Sequence, residues 1–258
     1  MSTFSSDREE HNALGFKWML DRKQYIDNAI LSGGWEPATT AVAEKYVKPG
    51  MFVLDVGANI GYYTLLMSRL VGPNGRVVAF EPMHEPARLI SWHIEHNDIT
   101  NAEIVGAALD EKDGVHDTFF NYSWRGQEPV EQHGNQTTFL RLDSWVEARK
   151  IEQLDFIKID VDGYEARLLR GAGQTLRKFS PTMIIEVCDY SLRTAAGLGP
   201  ALFSVPGYGE HVLEMLEGLK RLGYHFLWEE DHSRVEDISE VITRFDLSQR
   251  SINLIATV

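Results

Sequence analysis

The segment Val53–Thr64, VLDVGANIGYYT, constrains this chain more than any other, because it packs a strand, a glycine turn and a helix start into twelve residues. Its lead-in (Met51, Phe52, Val53, Leu54, Val56) is an apolar, partly β-branched run of the kind buried in parallel sheets. Gly57 and Gly61 bracket the turn and let the backbone approach a ligand with no Cβ in the way. The following YYTLLMSRLV, Tyr62–Val71, has helical spacing, so its first amides face the turn. Such an end favours an anion by about 0.3–1 kcal/mol when exposed, and more when partly buried. Asp55, at the carboxyl end of the strand, adds the opposite charge.

A carboxylate beside an anion-accepting helix end suits a zwitterion better than a pyrophosphate, and the methionine moiety of S-adenosylmethionine is such a zwitterion. Dinucleotide sites use GxGxxG; here Asn59 stands where the middle glycine would be, which weakens a nicotinamide reading. An ordinary tight strand-to-helix turn is the plain alternative. The next apolar strand, RVVAF, ends in Glu81 about twenty residues beyond Gly61, where a doubly wound sheet places the acid that grips ribose hydroxyls. Each charge-assisted hydrogen bond there is worth about 1.5–3 kcal/mol. Pro82 then stops the strand.

The chain has 258 residues, 43% of them hydrophobic, which suffices for one enzyme-sized α/β domain. Its formal charge of −13, from 38 acids against 25 Lys plus Arg, argues against nucleic acid as the main partner. The sole cysteine, Cys188, forms no internal disulfide and fits a reducing compartment. No 18-residue apolar run and no signal peptide are visible, so the expectation is a cytoplasmic protein without membrane insertion. The sequons at Asn121 and Asn135 read as chance matches, and a homo-oligomer stays open.

Along the chain, strands alternate with helices, without repeats or long linkers. Residues 1–38 read as a polar tail and a helical arm, with helix spacing from Leu14 to Leu31; residues 39–258 read as the main domain. Further strands are expected at Ala102–Leu109, Val115–Tyr122, Thr137–Leu142, Asp155–Asp160, Thr182–Cys188, Tyr224–Glu229 and Ile252–Val258. Helices are expected at Thr39–Val47, His84–Asn97, Ser144–Lys150, Tyr164–Phe179 and His211–Leu222. Such alternation implies parallel crossovers and a doubly wound sheet with its site at the strands' carboxyl ends.

A second chemical centre is IKIDVDGYE, from Ile157 to Glu165. Lys158 and Asp160 share a strand face, Asp162 follows, and Gly163 turns the chain into a helix carrying Glu165. Three acids in six residues raise one another's pKa unless Lys158 or a cation compensates. A solvated turn with an acid balancing the helix dipole is the competing account.

With these segments in place the sequence resembles the FkbM-type S-adenosylmethionine-dependent O-methyltransferases, through VLDVGANIGYYT, VVAFEP ending at Pro82, LDSW from Leu142 and IKIDVDGYEARLLRGA from Ile157. The resemblance spans about Trp35 to Glu186. It implies a Rossmann-like, seven-stranded methyltransferase sheet, S-adenosylmethionine as cofactor, and a hydroxyl acceptor on a sugar, glycolipid or other small metabolite. Many members carry glutamate where this chain has Asp162. The candidate cofactor set is Glu36, Asp55, Gly57, Asn59, Gly61, Glu81, Pro82 and Asp110.

Methyl transfer to an alcohol needs in-line positioning and a destination for the proton. Asp160 is the candidate base, with Lys158 as a tuned amine or charge partner. Glu186 closes the next strand, with Asp189 shortly after, so Asp160 and Glu186 are candidate ligands for Mg²⁺ by analogy with catechol O-methyltransferases. His133, among Tyr122, Trp124 and Asn135, is a candidate acceptor-side base, and the Gly- and Pro-rich loop Ser191–Gly209 a candidate lid. His93 and His96 read as a solvated helix face. A non-catalytic nucleotide-binding module and a Rossmann-type NAD(P) oxidoreductase are the alternative functions.

Overall fold

The structure is a computed structural model that describes residues 7–118, 135–187, 208–248 and 251–258. Its centre is a seven-stranded sheet. The first core strand, β3 (Phe52–Val56), is buried at every position and lies between parallel β4 (Arg76–Phe80) and parallel β9 (Phe156–Ile159). Outward from β4 comes β5 (Ala102–Val105), and outward from β9 come β10 (Thr182–Val187), β12 (Ile252–Thr257) and β11 (His225–Trp228). β12 runs antiparallel to both its neighbours, so the sheet is mixed. The chain leaves β3 towards β4 and returns to β9, which makes the β3/β9 crevice the topological switch point where ligands of such sheets bind.

Apolar faces of α3 (Tyr62–Val71), α4 (His84–His96), α5 (Leu142–Ala148), α6 (Glu165–Arg170) and α7 (Gly173–Phe179) cover the sheet, joined by α2 (Pro37–Tyr46), α8 (Tyr208–Arg221) and α9 (Ser239–Ser248). A smaller sheet pairs β8 (Asn135–Leu140) with antiparallel β7 (Gly114–Thr118) and parallel β6 (Ala108–Leu109). No helix among the described residues is long and apolar enough to cross a membrane.

Several expectations need correction. The N-terminal arm is helical only over α1 (Tyr25–Leu31); its first half is a hairpin of β1 (Glu9–Ala13) and β2 (Phe16–Leu20). In β2 the residues alternate: Trp18 and Leu20 are buried while Lys17 is exposed, a period of two rather than 3.6. Leu14 and Gly15, at φ 55° and 80°, supply the two positive-φ positions that a tight hairpin turn demands. Trp18, Leu20, Ile26 and Ile30 share one apolar cluster with Val53, Leu65 and Val77.

The expected strand 102–109 breaks at Gly106, where the chain leaves β5 for the smaller sheet. The expected helix 164–179 breaks at Gly171: a Cβ there would lie 2.1 Å from the carbonyl oxygen of Asp110, so two backbones meet where only glycine fits. Leu142 opens α5 instead of ending a strand. Asp143 of the LDSW motif accepts the Thr175 amide and hydroxyl (both 2.8 Å) and the Gln174 amide (3.1 Å), satisfying orphan donors at the start of α7.

Candidate active site

The turn after β3 follows from its left-handed positions: Gly57 (φ 80°), Asn59 (φ 51°) and Gly61 (φ 89°). The Gly57 and Ala58 amides both donate to the Phe80 carbonyl, at 3.0 and 3.1 Å, tying the turn to the end of β4. Gly57 is also required for a reason the sequence did not display. A Cβ there would stand 1.8 Å from the Asp160 carbonyl oxygen, so the turns after β3 and β9 touch backbone to backbone. At Gly61, which caps α3, a Cβ would press on Ile90 at 3.0 Å.

Glu81 extends from the end of β4 beneath this turn and is 3% exposed. Its carboxylate accepts the Asn59 amide (2.8 Å) and, across Pro82, the Met83 amide (2.9 Å). Burial pushes its pKa up to about 7, against the pull of those two amides. Asp55 is fully buried, and burial raises its pKa while Lys158 and the Thr64 hydroxyl offset part of the shift. That hydroxyl donates to Asp55 Oδ2 at 2.6 Å, whereas Oδ1 has no partner among the described residues, and neither has Asn59 Oδ1.

On the β9 side, Asp55 and Lys158 are register partners across the β3–β9 pair. The Lys158 side chain is 5% exposed; its ammonium donates to Asp160 Oδ2 at 2.8 Å and sits 4.6 Å from the centre of the Tyr63 ring. Burial alone would discharge this lysine, but Asp160, Asp55 and Glu36 together hold its pKa above the ordinary value. Burial works against the Asp160 carboxylate, and Lys158 together with a hydrogen bond from Glu186 outweighs it, so Asp160 stays ionised below the usual range. Burial and the Asp160 charge drive Glu186 well above the usual range. Oxygens of Asp160, Asp162 and Glu186 come within 4.8 Å of one another.

Glu36 reaches the same centre from the turn before α2. It is a non-glycine residue at φ 41°, and its carboxylate accepts the Tyr63 hydroxyl at 3.0 Å. Burial raises its pKa, and Lys158 lowers it. Glu165 serves the turn itself: its carboxyl accepts the Gly163 amide at 3.0 Å, and burial pushes its pKa up to about 8. Behind Glu36, Glu229 is hydrogen-bonded to the Thr39 hydroxyl and to Asn253 (3.3 Å).

Glu36, Asp55, Gly57, Asn59, Gly61, Glu81, Lys158, Asp160 and Glu186 thus line the carboxyl ends of β3, β4, β9 and β10. Asp110 has a different setting: Arg167 of α6 grips its carboxylate with two hydrogen bonds, of 2.8 and 2.7 Å. His133, Tyr122, Trp124, Asp189 and residues 191–207 lie outside the described residues. His93 is fully buried, contrary to the solvated face its spacing suggested; His96 stacks on Trp92 at 3.8 Å. Tyr63 and Glu229 were missed. Tyr63 was legible as the second residue of α3, in the turn that faces the site, whereas Glu229 carries no motif.

Acceptors at Asp55 and Asn59 that lack partners among the described residues, a turn of three left-handed residues and a carboxylate closing β4 fit the methionine and ribose ends of S-adenosylmethionine. A mixed seven-stranded sheet with this site at its switch point defines a Rossmann-like methyltransferase fold. The chain belongs to the FkbM methyltransferase family: the methyltransferase FkbM domain matches residues 55–226. It is 23% identical over 162 residues to "Methyltransferase 1" of Beauveria bassiana, covering 54% of this chain and 65% of that one. It is 36% identical over 88 residues to a protein-L-isoaspartate O-methyltransferase of Triticum aestivum, covering 34% of this chain and 35% of that one. The chain therefore spans about two thirds and one third of the length of these curated relatives. A solved FkbM methyltransferase from Methylobacillus flagellatus KT superposes with a TM-score of 0.49 at 13% identity, over 85% of this chain and 50% of that one.

Proposed function

We propose that this protein is an S-adenosylmethionine-dependent O-methyltransferase acting on a hydroxyl of a small molecule. The observation that carries the reading is Asp55 Oδ1, a fully buried carboxylate oxygen without a hydrogen-bond partner among the described residues, on the strand that leads into the glycine turn. A buried acceptor left unpaired costs about 1–3 kcal/mol, and a ligand ammonium removes that cost. When bound, S-adenosylmethionine supplies a methyl group on a sulfonium.

The protein's own residues do the rest. Asp55 accepts the ligand ammonium, α3 faces its carboxylate, and Glu81 accepts the ribose hydroxyls beside its two amide bonds. Asp160, held ionised by Lys158 and Glu186, receives the acceptor's proton. A low-pKa carboxylate is adequate for this, because the hydroxyl becomes strongly acidic as its oxygen takes on the methyl group. Aligning that oxygen with the methyl group contributes much of the acceleration.

A second reading is favoured by the convergence of Asp160, Asp162 and Glu186 within 4.8 Å: a divalent cation held by these oxygens would offset their crowded negative charge and orient the hydroxyl. The test is transfer of a labelled methyl group from S-adenosylmethionine into a small-molecule extract. Asp160→Asn is expected to abolish incorporation while S-adenosylhomocysteine affinity stays within a few-fold. Insensitivity to EDTA supports the base; loss in EDTA restored by Mg²⁺ supports the cation. Near-normal transfer by Asp160→Asn contradicts both.

A further inference from the structure

The N-terminal hairpin and the glycine turn meet through one side chain. His93, in the last turn of α4, is 0% exposed; its Nδ1–H donates to the Ile60 carbonyl at 2.9 Å, and its Nε2 accepts the Met19 amide of β2 at 2.9 Å. The two bonds fix one tautomer of a neutral ring. Ile60 lies between Asn59 and Gly61, both left-handed, so its carbonyl belongs to the part of the turn whose backbone conformation is least favourable for ordinary residues. Trp18 closes the other side, with its ring 5.0 Å from the imidazole, and its indole N–H donates to the Ala13 carbonyl within the hairpin.

The hairpin has further anchors on the same helix. Asn97, just past α4, exchanges hydrogen bonds with the Lys17 backbone, at 2.7 and 2.8 Å. Arg8 bridges the Met19 carbonyl, Asp27 and, at 3.5 Å, Glu85 at the start of α4. Among these contacts, the imidazole of His93 joins the Met19 amide directly to the Ile60 carbonyl, each through one hydrogen bond.

We propose that His93 is a positioning residue for the cofactor turn: it couples the seating of the β1–β2 hairpin to the backbone shape of residues 57–61, so the hairpin sets cofactor affinity without touching the cofactor. The proposal rests on the cofactor reading of that turn. Coupling of this kind is reciprocal, because a ligand that favours one shape of the turn also favours the hairpin docked against it.

Two measurements test it. In the wild-type protein, hydrogen–deuterium exchange with and without S-adenosylhomocysteine should show slower exchange at residues 57–61 and also in β2, at the Met19 amide. Protection confined to residues 57–61 overturns the coupling. In calorimetry, His93→Leu, which keeps bulk and loses both hydrogen bonds, should weaken S-adenosylhomocysteine binding at least tenfold in protein that still melts cooperatively. His93→Gln, which offers one donor and one acceptor, should stay within about threefold of wild type. A residue that only stabilises the fold would lower the melting temperature of His93→Leu and leave its dissociation constant unchanged, which overturns the proposal. Absence of S-adenosylhomocysteine binding by the wild-type protein would instead contradict the cofactor reading itself.

Discussion

Gly57 and Asp160 meet backbone to backbone across the β3/β9 crevice, with room for no side chain: a Cβ on Gly57 would lie 1.8 Å from the Asp160 carbonyl oxygen. The turns after β3 and β9 are therefore packed against each other at this point, and a side chain added at Gly57 must displace one of the two backbones. Gly57→Ala should lower stability by about 2–4 kcal/mol, since the methyl group collides with a carbonyl and the residue keeps a φ of 80°. Urea denaturation measures this. A wild-type midpoint would mean that the two turns are not packed as described.

Glu81 gives cofactor affinity a pH dependence of definite sign. With its pKa near 7 in the free protein, the carboxyl is increasingly protonated as pH falls, while the ribose hydroxyls need it as an ionised acceptor. S-adenosylhomocysteine affinity should fall about tenfold per pH unit below 7 and level off above it. Glu81→Gln should flatten the profile at weak affinity. Calorimetric titrations at pH 5.5, 6.5 and 7.5 decide; a flat wild-type profile removes Glu81 from the ribose.

His93 acts on stability in the acid range. Burial lowers its pKa from 6.5 to about 3, so between these values the unfolded chain binds a proton that the folded one does not. Stability from the neutral ring is complete above pH 6.5 and is lost as pH falls towards 3, at up to about 1.4 kcal/mol per unit. The buried carboxyls Glu81, Glu165 and Glu186 run the other way, because their raised pKa values stabilise the fold as pH falls. The difference between wild type and His93→Gln isolates the histidine: the wild-type advantage should shrink steadily from pH 6.5 to 4 in urea titrations. A constant difference contradicts the buried neutral ring.

Lys158 compensates more than one acid. Lys158→Met should cost about 3–5 kcal/mol at pH 8, because Asp160, Asp55 and Glu36 lose a buried counter-charge. The deficit should narrow towards pH 5 as the uncompensated acids take up protons. An equal loss at both pH values would mean that Lys158 contributes packing rather than charge.

The sheet was legible in the sequence where burial is two-sided. β3, β4 and β9 are short apolar runs ended by an acid or a glycine turn, and Asp55, Glu81 and Asp160 sit where the strand ends put them. The strand Phe16–Leu20 and its hairpin were hidden because Leu14, Trp18 and Ile26 also satisfy a helical repeat, and only Leu14–Gly15 marks the turn. The break at Gly171 was illegible for another reason: it arises from contact with Asp110, 61 positions away, and local spacing carries no trace of it. His93 followed the same rule, since its burial comes from a hairpin whose presence the sequence did not reveal. Asp110 follows β6 directly, but its partner Arg167 arrives from a distant helix that local spacing cannot show.

The central claim, that the turn of Gly57, Asn59 and Gly61 with Asp55 and Glu81 holds S-adenosylmethionine, is tested most directly by calorimetric titration of the wild-type protein with S-adenosylhomocysteine and, separately, NADH. One S-adenosylhomocysteine should bind per chain, the melting temperature should rise in its presence, and NADH should give no heat. Saturable NADH binding without S-adenosylhomocysteine binding would contradict the claim.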